Sequence, residues 1–322
     1  MDIAIAGCGW TGVILAYKLS SMGYAVDVYE QNKQVETICA CGIPASFFQA
    51  LARNCMLNPQ DYILWTARKL IIDLGSFTIQ APVDLCSFDK QRFMRDLAEQ
   101  STAKFHFKSK YHGDSEHTLI IDATGTRSLL GRLPCDNYYM TYQVKAKFTP
   151  NLPYDDFYIK IDKRQGCKYL WMFPLTEKEA YVGYASINSK LAVEKVERFL
   201  RQHGAEPAER KAKLLRLNPP HESLPFIRGK IVGVGTSIGA ITSLGEGNAP
   251  SAITAYLLLQ NLGNLQRYME QVLEALGWLK ADHAAYNLWL KNSPKTLAYM
   301  LKIHKIYSQR FNIQLLKCRI SM

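Results

Sequence analysis

The sequence predicts an α/β protein in which a parallel-sheet domain is interrupted by an antiparallel sheet and followed by helices. Three observations predict it. Short β-branched runs feed glycine-rich turns at both ends of the chain, at residues 3–6 and 231–235. Between residues 138 and 189 apolar residues recur with period two and no helix intervenes, the mark of an antiparallel sheet. Residues 89–101, 191–202 and 251–262 carry helical spacing instead. The chain is 322 residues long, enough for two domains and a sizeable core. A composition of 48% hydrophobic and 21% charged residues excludes a disordered or collagenous chain.

Taken in order, residues 3–6 form a strand that runs into Gly7-Cys8-Gly9-Trp10-Thr11-Gly12. A helix follows at 13–19, and a second strand at 25–29 ends on Glu30 and Gln31. Strand, G-x-G-x-x-G, helix, strand and acid together are the signature of a dinucleotide-binding βαβ unit. Gly7 permits the tight turn, Gly9 lets backbone approach a pyrophosphate, and Gly12 lets the helix pack closely on the strand. The phosphates would then rest on the helix N-terminus. Glu30 would accept hydrogen bonds from ribose hydroxyls, which disfavours a 2′-phosphate. FAD and NAD both fit this first turn.

Two later turns separate them. A strand at 119–122 opens into Ala123-Thr124-Gly125, and the strand at 231–235 into Gly235-Thr236. Gly245-Glu246-Gly247-Asn248-Ala249-Pro250 then starts the helix at 251–262, where Pro250 suits a first turn. A second glycine-rich turn so late in the chain serves an extended FAD and is superfluous for NAD.

Tyr169-Leu170-Trp171-Met172-Phe173-Pro174, followed by Gly183-Tyr184-Ala185, is similar to the Y-x-W-x-F-P, spacer, G-x-G signature of the FAD-dependent geranylgeranyl reductase family. Cys39-Ala40-Cys41-Gly42-Ile43-Pro44 resembles the same family's cysteine-glycine segment beside the flavin. The three glycine turns are shared by the wider group of flavoproteins with the p-hydroxybenzoate hydroxylase fold. The resemblance spans residues 1 to about 262. It implies a Rossmann-like FAD-binding domain interrupted by an antiparallel substrate domain, with C-terminal helices. The implied boundaries are 1–55, 85–137 and 225–262 for the first, 56–84 and 138–224 for the second, and 263–322 for a helical segment.

The activity implied is hydride transfer from reduced flavin to a carbon–carbon double bond of an isoprenoid, supplied by an unidentified electron donor. Cofactor contacts implied are Gly7, Gly9, Trp10, Thr11, Gly12, Glu30, Gln31, Cys41, Gly42, Lys90, Ala123, Thr124, Gly125, Gly235, Thr236, Gly245, Gly247 and Asn248. Tyr169, Trp171, Phe173, Pro174 and Gly183 would line the substrate, and Cys41, Tyr169 and Trp171 are the candidate catalytic residues. Cys41 would be a redox-sensitive thiol or proton relay, with Cys39 as competitor, since alternation along an extended chain puts both on one side. The aromatic alternation at Tyr169, Trp171 and Phe173 reads equally as sheet core. Asp122 is expected to order its turn and Cys8 to pack inside the glycine turn.

Three positions depart from the family pattern. Gly235-Thr236 stands for G-D, Lys90 for the arginine of D-R-x-x-F, and Ala185 for the third glycine. A flavin monooxygenase on the same fold, or a flavin-impaired paralogue that binds lipid or a partner, therefore stays open beside the reductase.

The net charge of +11 is uneven: residues 291–322 carry seven basic residues and no acid, leaving +4 for the rest. Leu297, Met300, Leu301, Ile303, Ile306 and Tyr307 recur with helical spacing among Lys302, Lys305 and Arg310. A basic amphipathic helix of this kind suits peripheral contact with an anionic membrane. No nucleic-acid motif accompanies it. The first residues lack a basic leader and no apolar run reaches ~20 residues, so a cytoplasmic protein without a spanning helix is expected. The eight cysteines form no C-x-x-C, and no histidine pair has ligand spacing, so no metal is expected.

Overall fold

The structure, a computed structural model, describes residues 1–113, 116–131, 138–162, 168–291 and 319–321. In chain order the elements are β1 (Asp2–Ala6), α1 (Trp10–Ser21), β2 (Ala25–Glu30), β3 (Gly42–Pro44), α2 (Ala45–Asn54), β4 (Ile63–Asp73) and β5 (Thr78–Phe88). Next come α3 (Lys90–Gln100), β6 (Lys104–Phe107), β7 (Leu119–Asp122), β8 (Tyr138–Lys147), β9 (Phe157–Asp162), β10 (Lys168–Pro174) and β11 (Glu179–Ser186). The last are α4 (Ser189–Gln202), β12 (Glu206–Arg216), β13 (Ile227–Arg228), β14 (Ile231–Gly233), α5 (Asn248–Gln260), α6 (Leu265–Ala275), α7 (Trp278–Leu290) and β15 (Arg319–Ser321).

The chain divides into two compact units. The first comprises Met1–Thr37, Lys90–Asn137 and Arg216–His283. Its six-stranded sheet runs β13-β14-β7-β1-β2-β6, parallel except for the short edge strand β13. Apart from Asp2 at the start of β1 and Asp122 at the end of β7, these strands are apolar runs, because a parallel sheet buries both faces. Helix α1 packs against α3 and α5, so it is buried nearly all round, with Val13, Ile14, Leu15 and Leu19 wholly inaccessible. That is why it lacks a polar stripe.

At the β2–β6 edge, Asp27 accepts from two imidazoles: His106 Nε2 lies 2.6 Å from one carboxylate oxygen and His117 Nε2 3.1 Å from the other. Tyr29 stacks on His106 at 4.8 Å. Burial alone would raise the Asp27 carboxyl, yet the two imidazole hydrogen bonds and their charge outweigh it and hold it below the ordinary carboxylate value. A depressed acid stabilises the fold above its unfolded pKa of about 3.9 and loses that contribution as pH falls through the lower folded value. The stability difference between the wild type and Asp27→Asn should therefore be full at pH 5 and shrink on acidification below about pH 4. Urea titrations at pH 5 and pH 3 check this, and an unchanged difference would contradict it.

The second unit comprises Ile38–Asp89, Tyr138–Leu215 and Ala284–Met322. Its nine-stranded sheet runs β12-β8-β11-β10-β9-β4-β5-β15, and β3 also pairs β5. One face packs on α4, where Val144, Leu170, Met172, Val182, Val196 and Phe199 share a core. Leu170 and Met172 point to α4, so the alternating residues of β10 lie on the opposite face.

Several sequence expectations change here. Residues 38–55 and 85–89 join the second unit, because β3 pairs β5 within its sheet. Residues 216–224 and 263–283 join the first. The sheet is not wholly antiparallel, since β4 and β9 run parallel. The long β4–β5 hairpin is absent from the sequence reading because a bulge breaks its period at Ala67/Lys69. Buried Asp156 caps that bulge, accepting from Arg68 N at 2.7 Å and Lys69 N at 3.3 Å. Residues 319–321 form a strand, β15, rather than continuing the C-terminal helices. The basic amphipathic stretch at 297–310, and Cys135, Cys167 and Cys318, lie outside the described residues. Among the described residues no helix is long and apolar enough to cross a membrane, and no group of three or more His, Cys, Asp or Glu is placed to hold a metal.

Candidate functional site

The first unit assembles its predicted residues around the glycine turn. Gly7 has φ +96°, and a Cβ there would sit 2.7 Å from the Ala123 carbonyl oxygen. Gly12 is tighter still, since its Cβ would lie 2.0 Å from the Gly7 oxygen and 3.4 Å from the Ala123 side chain. Gly9 differs. Nothing lies within 4 Å of the Cβ it lacks, and its φ of −78° is open to any residue. It precedes α1, whose N-terminus no side chain caps and whose first turn holds no acid. An open glycine ahead of an uncapped helix start is the form of a phosphate cradle.

Glu30 closes the other side of the turn. One carboxylate oxygen accepts from Cys8 N at 2.9 Å and the other from Asn32 N at 2.8 Å. Each oxygen keeps lone-pair capacity for a ribose hydroxyl. Cys8 is packed inside the turn, and burial, with the Glu30 charge second, pushes its thiol up to about 12. Gln31 receives a long hydrogen bond of 3.4 Å from Arg127.

Three helix starts meet beside this cradle. Trp10, Lys90 and Asn248 are the first residues of α1, α3 and α5. Trp10 Nε1 donates to the Asn248 carbonyl at 2.8 Å, Lys90 Nζ donates to Asn248 Oδ1 at 2.7 Å, and the same ammonium lies 5.0 Å from the centre of the Trp10 ring. Lys90 is buried. Its ammonium and the uncapped start of α1 create a field that favours an anion. Lys90 thus serves as a point charge that ties α3 to α5 and α1, a task that needs no planar fork.

The later turns fit onto the first. Asp122 is wholly buried and orders its own turn, accepting from Thr124 N and Oγ1, Ser128 Oγ and Leu129 N. Gly125 has φ +72° and its missing Cβ would lie 3.2 Å from Thr236 Oγ1. The missing Cβ of Gly235 would lie 2.4 Å from Thr11 Oγ1, and that of Gly247 3.5 Å from Thr236 Cγ2. Gly245 has φ +83°, and in the first turn of α5 the Glu246 carboxylate accepts from Ala249 N at 3.1 Å. The residues present therefore fit an extended dinucleotide.

Supporting residues that escaped the sequence reading hold these turns. Gly235 N donates to Thr254 Oγ1 at 2.8 Å, and Arg216 reaches the Ser237 oxygen at 2.7 Å. From α7, buried Asp282 accepts from Ser243 N at 2.6 Å and His283 Nε2 lies 3.0 Å from the Ile241 oxygen. Thr254 was legible as a polar residue in an apolar helix; Asp282, 39 residues from its partner, had no local signal. Asp282→Ala strands a buried N–H and should weaken cofactor retention by about 2 kcal/mol, whereas Asp282→Asn keeps an acceptor and should lose much less. Flavin-binding titrations of both variants test this.

In the second unit Trp171 lies against Gly183, whose Cβ would be 2.1 Å from the indole. The rings of Tyr169 and Trp171 are 5.6 Å apart. Trp171 is 6% exposed and, among the described residues, its buried Nε1 has no hydrogen-bond partner. Phe173 stacks on Phe157 at 4.3 Å, and both pack against Gly42. The carbonyl of Pro174 accepts from Ser87 Oγ. Cys41 sits at φ +60°, so the segment turns rather than extending, and the alternation argument for Cys39 and Cys41 fails. Instead Cys41 N donates to Cys39 Sγ at 3.2 Å, Cys41 Sγ donates to Cys39 O at 3.3 Å, and Gln143 Nε2 anchors that same oxygen at 3.0 Å.

This fold is shared with solved proteins. The chain superposes on a geranylgeranyl bacteriochlorophyll reductase-like protein of Thermoplasma acidophilum with a TM-score of 0.71 at 15% identity, over 90% of this chain and 86% of that one. It superposes on PqsL, a probable FAD-dependent monooxygenase of Pseudomonas aeruginosa, with a TM-score of 0.63 at 13% identity, over 93% and 99%. The fold is the p-hydroxybenzoate hydroxylase-like flavoprotein fold. The chain is 22% identical over 305 residues to an uncharacterized protein of Methanocaldococcus jannaschii, covering 80% of this chain and 82% of that protein. No family model matches.

Proposed function

We propose that this flavoprotein-fold chain is an FAD-dependent oxidoreductase that saturates carbon–carbon double bonds of an apolar, isoprenoid-type substrate. The observation that carries the reading is the aromatic face of β10, where Trp171 lies across Gly183 beside Tyr169 on the side of the sheet turned away from α4. A substrate without polar handles needs a wall of this kind. The Gly7–Gly12 turn and the start of α1 would hold the phosphates, Glu30 the ribose, and Thr236, Gly247 and Asn248 the far end of FAD. When bound, FAD supplies two-electron hydride chemistry. The chain's part is to bind and orient, to keep water from the apolar face, and to hold a proton at Cys41 Sγ, which rests on the Cys39 carbonyl. The basic segment at 291–322 would bring the enzyme to an anionic bilayer, and pelleting with anionic but not neutral vesicles tests that step.

The deciding experiment is a visible spectrum of the purified protein, followed by anaerobic incubation of the dithionite-reduced form with a geranylgeranyl lipid. Bound flavin and a gain of two hydrogens per reduced bond are expected. Failure to take up FAD would point to a flavin-impaired paralogue, and turnover that consumes oxygen would point to a monooxygenase; either overturns the proposal.

A further inference from the structure

The Cys39-Ala40-Cys41 turn carries a second thiol, Cys39, that the reductase reading does not use. Each sulfur is engaged with the other residue's backbone: Cys39 Sγ accepts from Cys41 N at 3.2 Å, and Cys41 Sγ donates to Cys39 O at 3.3 Å. These two contacts tie both thiol-bearing residues into one tight turn. Cys39 is half-buried while Cys41 is 3% exposed, so an attacking reagent meets Cys39 first. A backbone N–H aimed at a sulfur is accepted better by a thiolate than by a thiol, which marks Cys39 as the nucleophile. Cys41 carries a side chain at φ +60°, a conformation that persists only where the surroundings impose it. Those surroundings are on hand: Gln143 Nε2 holds the Cys39 carbonyl, Phe88 N donates to the Cys41 carbonyl at 3.2 Å, and the stacked Phe157 and Phe173 rings press on Gly42. The turn that carries both thiols is thus held in place from several sides.

We propose that Cys39 and Cys41 form a hydroperoxide-sensitive dithiol site, with Cys39 as the attacking thiolate and Cys41 as the resolving thiol. In the first step the Cys39 thiolate attacks a peroxide oxygen. The O–O bond breaks, an S–O bond forms, and sulfur loses two electrons to a hydroperoxide, which leaves as alcohol or water after taking up a proton. In the second step Cys41 sulfur displaces hydroxide from the Cys39 sulfenic acid, its own proton leaves with that hydroxide as water, and the disulfide closes. The only co-reactant is the hydroperoxide. A disulfide across one intervening residue is strained and therefore easily reduced, so the change reverses with a dithiol. The proposal is independent of whether flavin binds.

Tryptic digestion isolates the pair, because residues 34–53 lie between cleavage sites at Lys33 and Arg53 and contain no other cysteine. The full-length protein, reduced, desalted and treated with one equivalent of hydrogen peroxide, should yield this peptide two hydrogens lighter and resistant to alkylation until dithiothreitol is added. In Cys41→Ser, dimedone should label Cys39; in Cys39→Ser, Cys41 should stay unlabelled over the same time. Circular dichroism confirms that the variants fold, and the wild-type map stands even if they do not. The proposal is overturned if the peptide keeps two alkylatable thiols while Cys55 or Cys86 oxidises first, or if Cys41 is labelled in Cys39→Ser as fast as Cys39 is in Cys41→Ser.

Discussion

Replacing Gly12 by alanine is expected to unfold the parallel-sheet unit. The new methyl would sit 2.0 Å from the Gly7 carbonyl oxygen, and that oxygen is backbone in a turn that is itself pinned against Ala123. Neither side can yield without separating α1 from β1 and β7. Such a clash exceeds ordinary overpacking of about 1–3 kcal/mol, and a loss on the order of 4 kcal/mol or more is expected. Set against a total stability of about 5–15 kcal/mol, it leaves little protein folded. Gly9→Ala provides the contrast within the same motif. Its methyl meets nothing within 4 Å, and its backbone angles suit alanine, so the melting temperature should hardly move. The methyl would instead occupy the space that a pyrophosphate needs, and flavin affinity should fall about a hundredfold, or about 2.7 kcal/mol. Thermal melts and flavin titrations of the two variants separate packing from binding. A stable Gly12→Ala, or a Gly9→Ala that binds flavin as the wild type does, would contradict the roles assigned to these glycines.

That contrast also shows what a sequence can reveal about this fold. The βαβ unit was legible because its parts are contiguous: strand, glycine turn, helix and acid lie within residues 2–30, and each has a local pattern. The three glycine turns were legible for the same reason, as was the two-residue period of β8 to β11. The meeting of Trp10, Lys90 and Asn248 was not, because residues up to 238 positions apart come together only once the sheet order brings three helices to one place. The β4–β5 hairpin was hidden by its bulge, and Asp156, which stabilises the bulge, lies 88 residues beyond Arg68. The strand β12 was hidden by its charges, since at the edge of the sheet it is exposed over most of its length and needs no apolar face. The Cys39–Cys41 turn depends on a left-handed residue whose side chain gives no warning of it.

Gly183→Ala is expected to dismantle the aromatic face while sparing the parallel-sheet unit. The added methyl would overlap three atoms of the Trp171 ring, at 2.1, 2.4 and 2.7 Å, so the indole must rotate off the sheet. Trp171 and Gly183 are register partners on β10 and β11, and a rigid ring with Tyr169 at its side has no small adjustment to make. The stability cost should be about 3 kcal/mol. If this face lines the substrate, kcat/KM for an isoprenoid alkene should fall about a hundredfold with the flavin spectrum unchanged. The second substitution Trp171→Leu removes the ring that the methyl hits. In the double variant the loss at Gly183 should largely disappear, giving a coupling of about 2–3 kcal/mol between the two positions in urea denaturation. Stability recovered without recovery of turnover would show that the indole itself, and not only an intact sheet, is what the substrate requires. Additive losses would instead mean that the ring does not rest on this glycine, and the wall proposed for the substrate would fall with it.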